Sequence, residues 1–217
     1  MYNSDTQYRQ KEFALLNDAV ATLDETIIQL IHKIHMEAKH TADTIVVDTE
    51  TTGLTEYDEP LQISIIDADG NTLYNQYLRP IYHDTWEEAE RIHHISPQMV
   101  QGAPNIYQEM PRINAILAKA TTIVGYNHIH FDCRLLRAYG AVFPDCVELF
   151  DVMLAFAEIC GEWNEVHKSN KWQKLTTCAE YYHYDWDGDT AHDSLADCHA
   201  TLHCYHQMMK SKEREQP

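Results

Sequence analysis

Three short stretches of this sequence hold residue types whose spacing suits chemistry. The first, Asp48-Thr49-Glu50-Thr51-Thr52-Gly53, sets two acids two residues apart before a glycine. On a β-strand, residues two apart share a face, so Asp48 and Glu50 aim two carboxylates at one point. Carboxylates held together repel and call for a cation, and hard oxygen ligands suit Mg²⁺ or Mn²⁺. A solvated strand end followed by a glycine turn accounts for the same stretch. The second, Gly125-Tyr126-Asn127-His128-Ile129-His130-Phe131-Asp132, ends in an acid that either joins the first pair or caps a helix. In the third, Ala191-His192-Asp193-Ser194-Leu195-Ala196-Asp197, His192 stands five residues before Asp197. With His192 in a loop and Asp197 on the helix that follows, both face one cleft. Alone this third signal is weak, because the chain has 14 histidines.

The elements that must carry these residues follow from pattern. Thr44–Asp48 is a β-rich run ending in the first acid. Leu61–Ala68 and Thr72–Leu78 are two further strands, with Asp69-Gly70 as the hairpin turn between them. Close spacing predicts an antiparallel meander. Short helices are expected over 86–102, and a longer one over 108–119 with Met110, Ile113, Ile116 and Leu117 inward. Thr122–Val124 is a fourth strand leading to a helix over 131–139, and Val147–Phe150 is a fifth. Helices are expected near 152–160, 172–183 and 193–210. The order predicts an α/β fold, a mixed five-stranded sheet with helices on both faces. The end of such a strand is where α/β proteins build sites.

Residues 1–42 have another character. Phe13, Leu16, Val20, Leu23, Ile27, Leu30 and Ile34 recur at alternating intervals of three and four, a heptad seam on a helix expected near 10–38. That seam either lies on the body of its own domain or joins a second copy or a partner protein. The expected organisation is an N-terminal amphipathic helix over 1–42, a catalytic domain over 43–210 and a charged tail over 211–217.

Composition narrows the class. Sixteen Lys and Arg against 34 Asp and Glu give a formal net charge of −18 over 217 residues, which disfavours a surface that attracts polyanions everywhere. It leaves room for a local basic groove or for acids gathered round a metal. The six cysteines form no C-x-x-C pair and read as reduced packing residues. No apolar run is long enough to span a bilayer, and no signal-peptide pattern opens the chain; the expected location is cytoplasmic.

Taken together, D-x-E-T-T-G, then F-D after a strand, then H-x-x-x-x-D on the last helix resemble the DEDDh exonucleases. These form the DnaQ-like branch of the ribonuclease H-like superfamily. The resemblance covers about 44–209. Arg91-Ile92-His93-His94-Ile95-Ser96 resembles the family's "HGIT" segment, with Ala103-Pro104 following at a familiar distance. Lys174-Leu175 before Ala179-Glu180-Tyr181-Tyr182 resembles its approach to the last motif. Two departures bear on the substrate pocket: His94 stands where the family often has Gly, and Asn127 stands one residue farther from Asp132 than usual.

The resemblance implies a ribonuclease H-like fold and a metal-dependent 3′–5′ exonuclease releasing nucleoside 5′-monophosphates. Asp48, Glu50, Asp132 and Asp197 would bind two divalent cations, Mg²⁺ or Mn²⁺. His192 would take the proton of the attacking water, as an ordinary imidazole with a pKa of ~6.5 can. Thr51, Thr52, Gly53 and Leu54 would meet the terminal sugar and base, with Leu54 as an apolar wedge, and Asn127 and Phe131 would line the pocket. Trp172 and Lys174, with Lys168 and Lys171, form the densest basic stretch of the body. They read either as a cation–aromatic track for single-stranded nucleic acid or as a core Trp beside a solvated face. Arg134 and Arg137 are further phosphate contacts, whereas Glu56–Glu59 and Asp185–Asp189 read as solvated loops. Single-stranded DNA is the favoured substrate; an exoribonuclease, or a catalytically idle nucleic-acid or polymerase-binding module on the same fold, are the alternatives.

Overall fold

A computed structural model describes residues 43–188 and 191–215. The N-terminal helix and its seam lie outside the described residues. Strands β1 (Asp43–Thr51), β2 (Pro60–Asp67), β3 (Thr72–Tyr77), β4 (Ala120–Gly125) and β5 (Glu148–Asp151) form one sheet in the order β3-β2-β1-β4-β5. β1, β2 and β3 pair antiparallel, while β4 and β5 run parallel to β1. The expected α/β fold with a mixed five-stranded sheet is the one observed.

Helices cover both faces because strand residues alternate between them. On one face Ile45, Val47, Ile63 and Ile65 pack against Ile106, Met110, Ile113 and Leu117 of α3 (Ile106–Leu117) and Leu136 of α4 (Asp132–Ala138). Asn105 caps α3 by accepting the Gln108 N–H at 3.2 Å. On the other face Val46, Ile66 and Val124 meet three helices. These are α5 (Val152–Cys160), α6 (Leu175–Tyr181) and α7 (Ser194–Glu215). A smaller cluster of Leu61, Trp86, Ile95 and Val100 seats the short helices α1 (Glu87–His93) and α2 (Pro97–Val100). All six cysteines are free, and Cys133, Cys178, Cys198 and Cys204 are buried.

Four details differ from expectation. A two-stranded hairpin, β6 (Trp163–Asn164) with β7 (Ser169–Asn170), precedes α6; such short strands carry too few residues to show a period. Helix α6 starts at Leu175 rather than near 172, so Trp172 and Lys174 stand in the segment before it; Trp172 is exposed, which goes against the core one of its two readings. Helix α7 runs to Glu215, into the stretch read as a charged tail. Asp58 and Glu59 are buried rather than solvated. The Glu59 carboxylate accepts the N–H groups of Ile81, Tyr82 and His83 at 2.7, 2.8 and 3.0 Å, replacing water for three successive donors. Asp58 accepts the hydroxyls of Thr52 and Thr55 and the Thr55 N–H. Burial alone would raise its pKa, but these hydrogen bonds and nearby His83 hold it below the usual value. Asp185 and Asp187 are exposed as expected.

Candidate active site

The position of the site follows from strand register. β1 pairs with β4 only as far as Val46↔Val124, yet β1 runs on to Thr51. Beyond that point the chain after β4 turns away and leaves a gap beside β1. Asp48 and Glu50 extend the face of Val46 and therefore look toward α7, while Thr49 continues the face of Ile45 and Val47 toward α4. The Thr49 hydroxyl crosses the gap and donates to Asp132 Oδ1 at 2.6 Å. Asp132 is the first residue of α4 and is buried, so it is held by β1 rather than spent as a helix cap.

The start of α7 is pinned by β2. Gln62 and Ser64 stand opposite Glu50 and Asp48 and share their face. Ser64 Oγ lies 2.7 Å from Ser194 Oγ, and Gln62 Nε2 donates to Asp193 Oδ2 at 3.3 Å. Asp193 Oδ1 accepts the Leu195 and Ala196 N–H groups, capping the helix. Asp197, one turn on, accepts the backbone N–H of His192 at 3.3–3.4 Å. Ligand atoms of Glu50, His192 and Asp197 all lie within 4.8 Å of one another.

The charges confirm the crowding. Burial, then the charges of Asp132, Asp197, Glu50 and Asp193, push the Asp48 carboxyl well above the usual range. Burial and the charges of Asp197, Asp132 and Asp193 push Glu50 up to about 8. Burial lifts Asp197 to about 7, with the Asp193 charge adding and the His192 N–H opposing. Burial lifts Asp132 to about 6 against the opposing Thr49 hydrogen bond and the neighbouring His128. None of these four acids pairs with Lys or Arg among the described residues. A set of hard oxygen donors that repel one another, with no cationic side chain between them, fits divalent Mg²⁺ or Mn²⁺. His192 is exposed; partial burial, then the charges of Lys174 and His94, lower its pKa, which keeps its ring unprotonated near neutrality.

Among the described residues six non-glycine positions have positive φ, and three of them lie at this site: His94 (60°), Asn127 (60°) and His192 (73°). His94 terminates α1 in the left-handed conformation that glycine adopts most readily, which explains why a glycine can stand there in the family. His93 is buried, takes the Ile95 N–H on Nδ1 at 3.0 Å, and so donates from Nε2 to the Thr51 carbonyl at 3.1 Å. It ties α1 to the end of β1.

The other expected substrate residues divide into two groups. The Thr51 hydroxyl donates to the Gly53 carbonyl, and the Thr52 hydroxyl donates to Asp58 and accepts the Glu59 N–H. Both threonine side chains thus build the turn. Gly53 is required there, since a Cβ would come 2.7 Å from the Asp58 carboxylate oxygens. Leu54 is 81% exposed at the tip, free to touch a ligand. Phe131 sits at the N-cap position of α4 and is half-buried. Arg134 is exposed, and the Arg137 guanidinium lies over the Phe143 ring.

Sequence reasoning passed over Asp151. Its carboxylate accepts the N–H groups of Asn127, Ile129, Met153 and Leu154, capping α5 while holding the loop that delivers Asp132. An Asp between a strand and a helical apolar run is the available signal. In the same loop His128 is fully buried with Nδ1 3.5 Å from Asp151 Oδ2, and Gly125 must be glycine because a Cβ would come 2.4 Å from the His128 Cβ.

Comparison with known proteins gives the chain a family and its fold a set of solved likenesses. The exonuclease family model named for ribonuclease T matches residues 45–205. An uncharacterized exonuclease, CP81, of Escherichia phage 186 is 34% identical over 169 residues, covering 74% of this chain and 84% of that protein. Exonuclease I of E. coli, solved in complex with a dT13 oligonucleotide, superposes with a TM-score of 0.66 at 19% identity over 80% of this chain. Exonuclease X, solved in complex with 5′ overhanging duplex DNA, superposes with a TM-score of 0.59 at 21% identity, covering 78% of this chain and 93% of that one. The chain spans about two fifths of the length of the exonuclease I chains it matches. Both likenesses are of fold, the ribonuclease H-like one. The family match and the phage relative show that this chain belongs to the DnaQ-like exonuclease family.

Proposed function

We propose that this protein is a metal-dependent 3′–5′ exonuclease that removes nucleoside 5′-monophosphates from the ends of single-stranded DNA. The observation that carries the reading is the convergence of Asp48, Glu50, Asp132 and Asp197 with His192 at the splayed ends of β1 and β4. The solved relatives bound to DNA oligonucleotides favour DNA over RNA. The four carboxylates would hold two divalent cations, which, when bound, offset the phosphate charge and polarise its phosphorus. Thr49 and Asp151 fix Asp132 in place, and the Gln62, Ser64 and Asp193 contacts do the same for the turn bearing His192 and Asp197. An unprotonated ring nitrogen of His192 accepts a proton from the attacking water. As the water oxygen bonds to phosphorus, the bond to the 3′ oxygen breaks. The shortened strand keeps that oxygen, which takes a proton from solvent to become its 3′-OH, and the phosphate leaves on the 5′ oxygen of the released nucleotide. Exposed Leu54 would lie against the terminal base.

The test incubates the protein with 3′-labelled and 5′-labelled single-stranded DNA, duplex DNA and RNA, with and without Mg²⁺ or Mn²⁺. A labelled mononucleotide from the 3′ end and a descending ladder from the 5′ label, both only with metal, are expected. Early release of a 5′-labelled mononucleotide would overturn the polarity, and faster loss of RNA would overturn the substrate.

A further inference from the structure

Beside the catalytic cleft lies a second concavity of about 400 Å³, lined by Asn164, His167, Ser169, Asn170, Lys171 and Trp172. It is formed by the β6–β7 hairpin and the segment leading into α6. Its volume falls in the ~300–1,000 Å³ range of ligand sites. Trp172 is 57% exposed, an arrangement that costs hydrophobic free energy unless something covers the indole. One ring already stacks with it: the His130 imidazole, centroids 5.8 Å apart and planes inclined by 18°. His130 stands two residues before Asp132. The Tyr126 hydroxyl donates to the Gln173 carbonyl at 2.8 Å, joining the Trp172 segment to the same Asp132 loop. The concavity is therefore tied by two contacts to the loop that bears Asp132.

The chemistry of the lining selects a base rather than a phosphate. Lys168 and Lys171 are already paired with Glu165 and Glu162, so the rim carries balanced charge. Asn164 Oδ1 is occupied by the Val166 and His167 N–H groups. The side chains of Ser169 and Asn170 make no hydrogen bond among the described residues and remain available to a base edge. Lys174 makes no ion pair among the described residues, which leaves it for the connecting phosphate.

We propose that this concavity is a nucleobase pocket in which the Trp172–His130 stack carries a base of the strand on the 5′ side of the nucleotide being removed. The inference rests on the exonuclease reading above and adds to it a second point of grip that extends the footprint beyond the terminal nucleotide. An aromatic platform accepts every base because each has a π-face, so this grip confers length dependence rather than sequence preference.

The test is an abasic scan. Binding of oligothymidylates, each lacking one base at a successive position from the 3′ end, is measured in Ca²⁺ with a 3′-terminal phosphorothioate to hold back hydrolysis. Wild-type protein should lose about 5- to 150-fold in affinity at one internal position, the range of base–aromatic stacking. Trp172→Ala should bind the intact strand weaker by the same factor and show no further loss at that position, while Trp172→Phe restores the sensitivity. An internal loss that persists undiminished in Trp172→Ala, or a wild-type profile sensitive only at the terminal base, overturns the pocket. Wild-type hydrolysis of unmodified strands in Mg²⁺ is measured in parallel. Its absence sinks the exonuclease reading, whereas hydrolysis together with a flat internal profile sinks the pocket alone.

Discussion

Neutralising Glu50 should abolish hydrolysis and at the same time stabilise the metal-free protein, with a sign that depends on pH. Glu50 ionises near 4.5 in an unfolded chain and near 8 in the folded one. Between those values the native state binds more protons than the unfolded state, so stability falls as pH rises from about 4.5 to about 8 and is level above that. The rise from 4.5 to about 8 corresponds to about 5 kcal/mol at 1.36 kcal/mol per unit. Solvent reaching the half-buried side chain reduces this to about 2–4 kcal/mol. Glu50→Gln keeps the shape and removes the titration. In EDTA, its melting temperature should equal or lie below that of wild type at pH 4.5–5. At pH 8 it should exceed wild type by about 5–15 °C, taking ~2–4 °C per kcal/mol for a domain of this size.

Divalent cation should reverse the order. Metal bound only by the native state stabilises in proportion to its occupancy, and the wild-type carboxylates must shed their protons to bind it. Millimolar Mn²⁺ at pH 8 should therefore raise the wild-type melting temperature well above that of Glu50→Gln, and the effect should fade toward pH 5. Calorimetric scans at the two pH values, with EDTA or Mn²⁺, give all four comparisons. A difference between the two proteins in EDTA that does not vary with pH would refute the argument, as would a Glu50→Gln protein less stable than wild type at pH 8.

His192→Ala should lower kcat by about 10²–10⁴, the usual scale for losing a general base, while the Mn²⁺-induced rise in melting temperature survives. The acid limb of the wild-type pH–rate profile should lie below the ordinary histidine pKa, since His192 is shifted down, and should vanish in the variant; loss of the Mn²⁺ response would instead make His192 a ligand. Glu59→Ala strands three N–H donors and should cost about 2–4 kcal/mol in denaturant unfolding at neutral pH; an unchanged midpoint would mean that water replaces the carboxylate.

What could be read from the chain, and what could not, separates along contact distance. Asp48 and Glu50 were visible because a strand's two-residue period acts locally, and the fourth acid with its histidine because a loop-to-helix offset is local too. The supports are not local. Thr49 reaches Asp132 across 83 positions, and Ser64 reaches Ser194 across 130. In one dimension Gln62 and Ser64 are only two polar residues in the apolar run Leu61–Ile66, indistinguishable from a solvated strand face. In the folded sheet the same alternation puts both beside the acids, where they anchor α7. Glu59 misled for the same reason: among Glu56, Asp58 and Glu59 it looks solvated, and only the return of 81–83 supplies the donors that bury it. A cluster of like charges is intrinsically destabilising, so it persists only where long-range contacts hold each member in place. The acids are thus the part legible in the sequence, and the uncharged residues opposite them do the positioning. Substituting Thr49 or Ser64 should therefore disturb the geometry of the site without removing any of its four carboxylates.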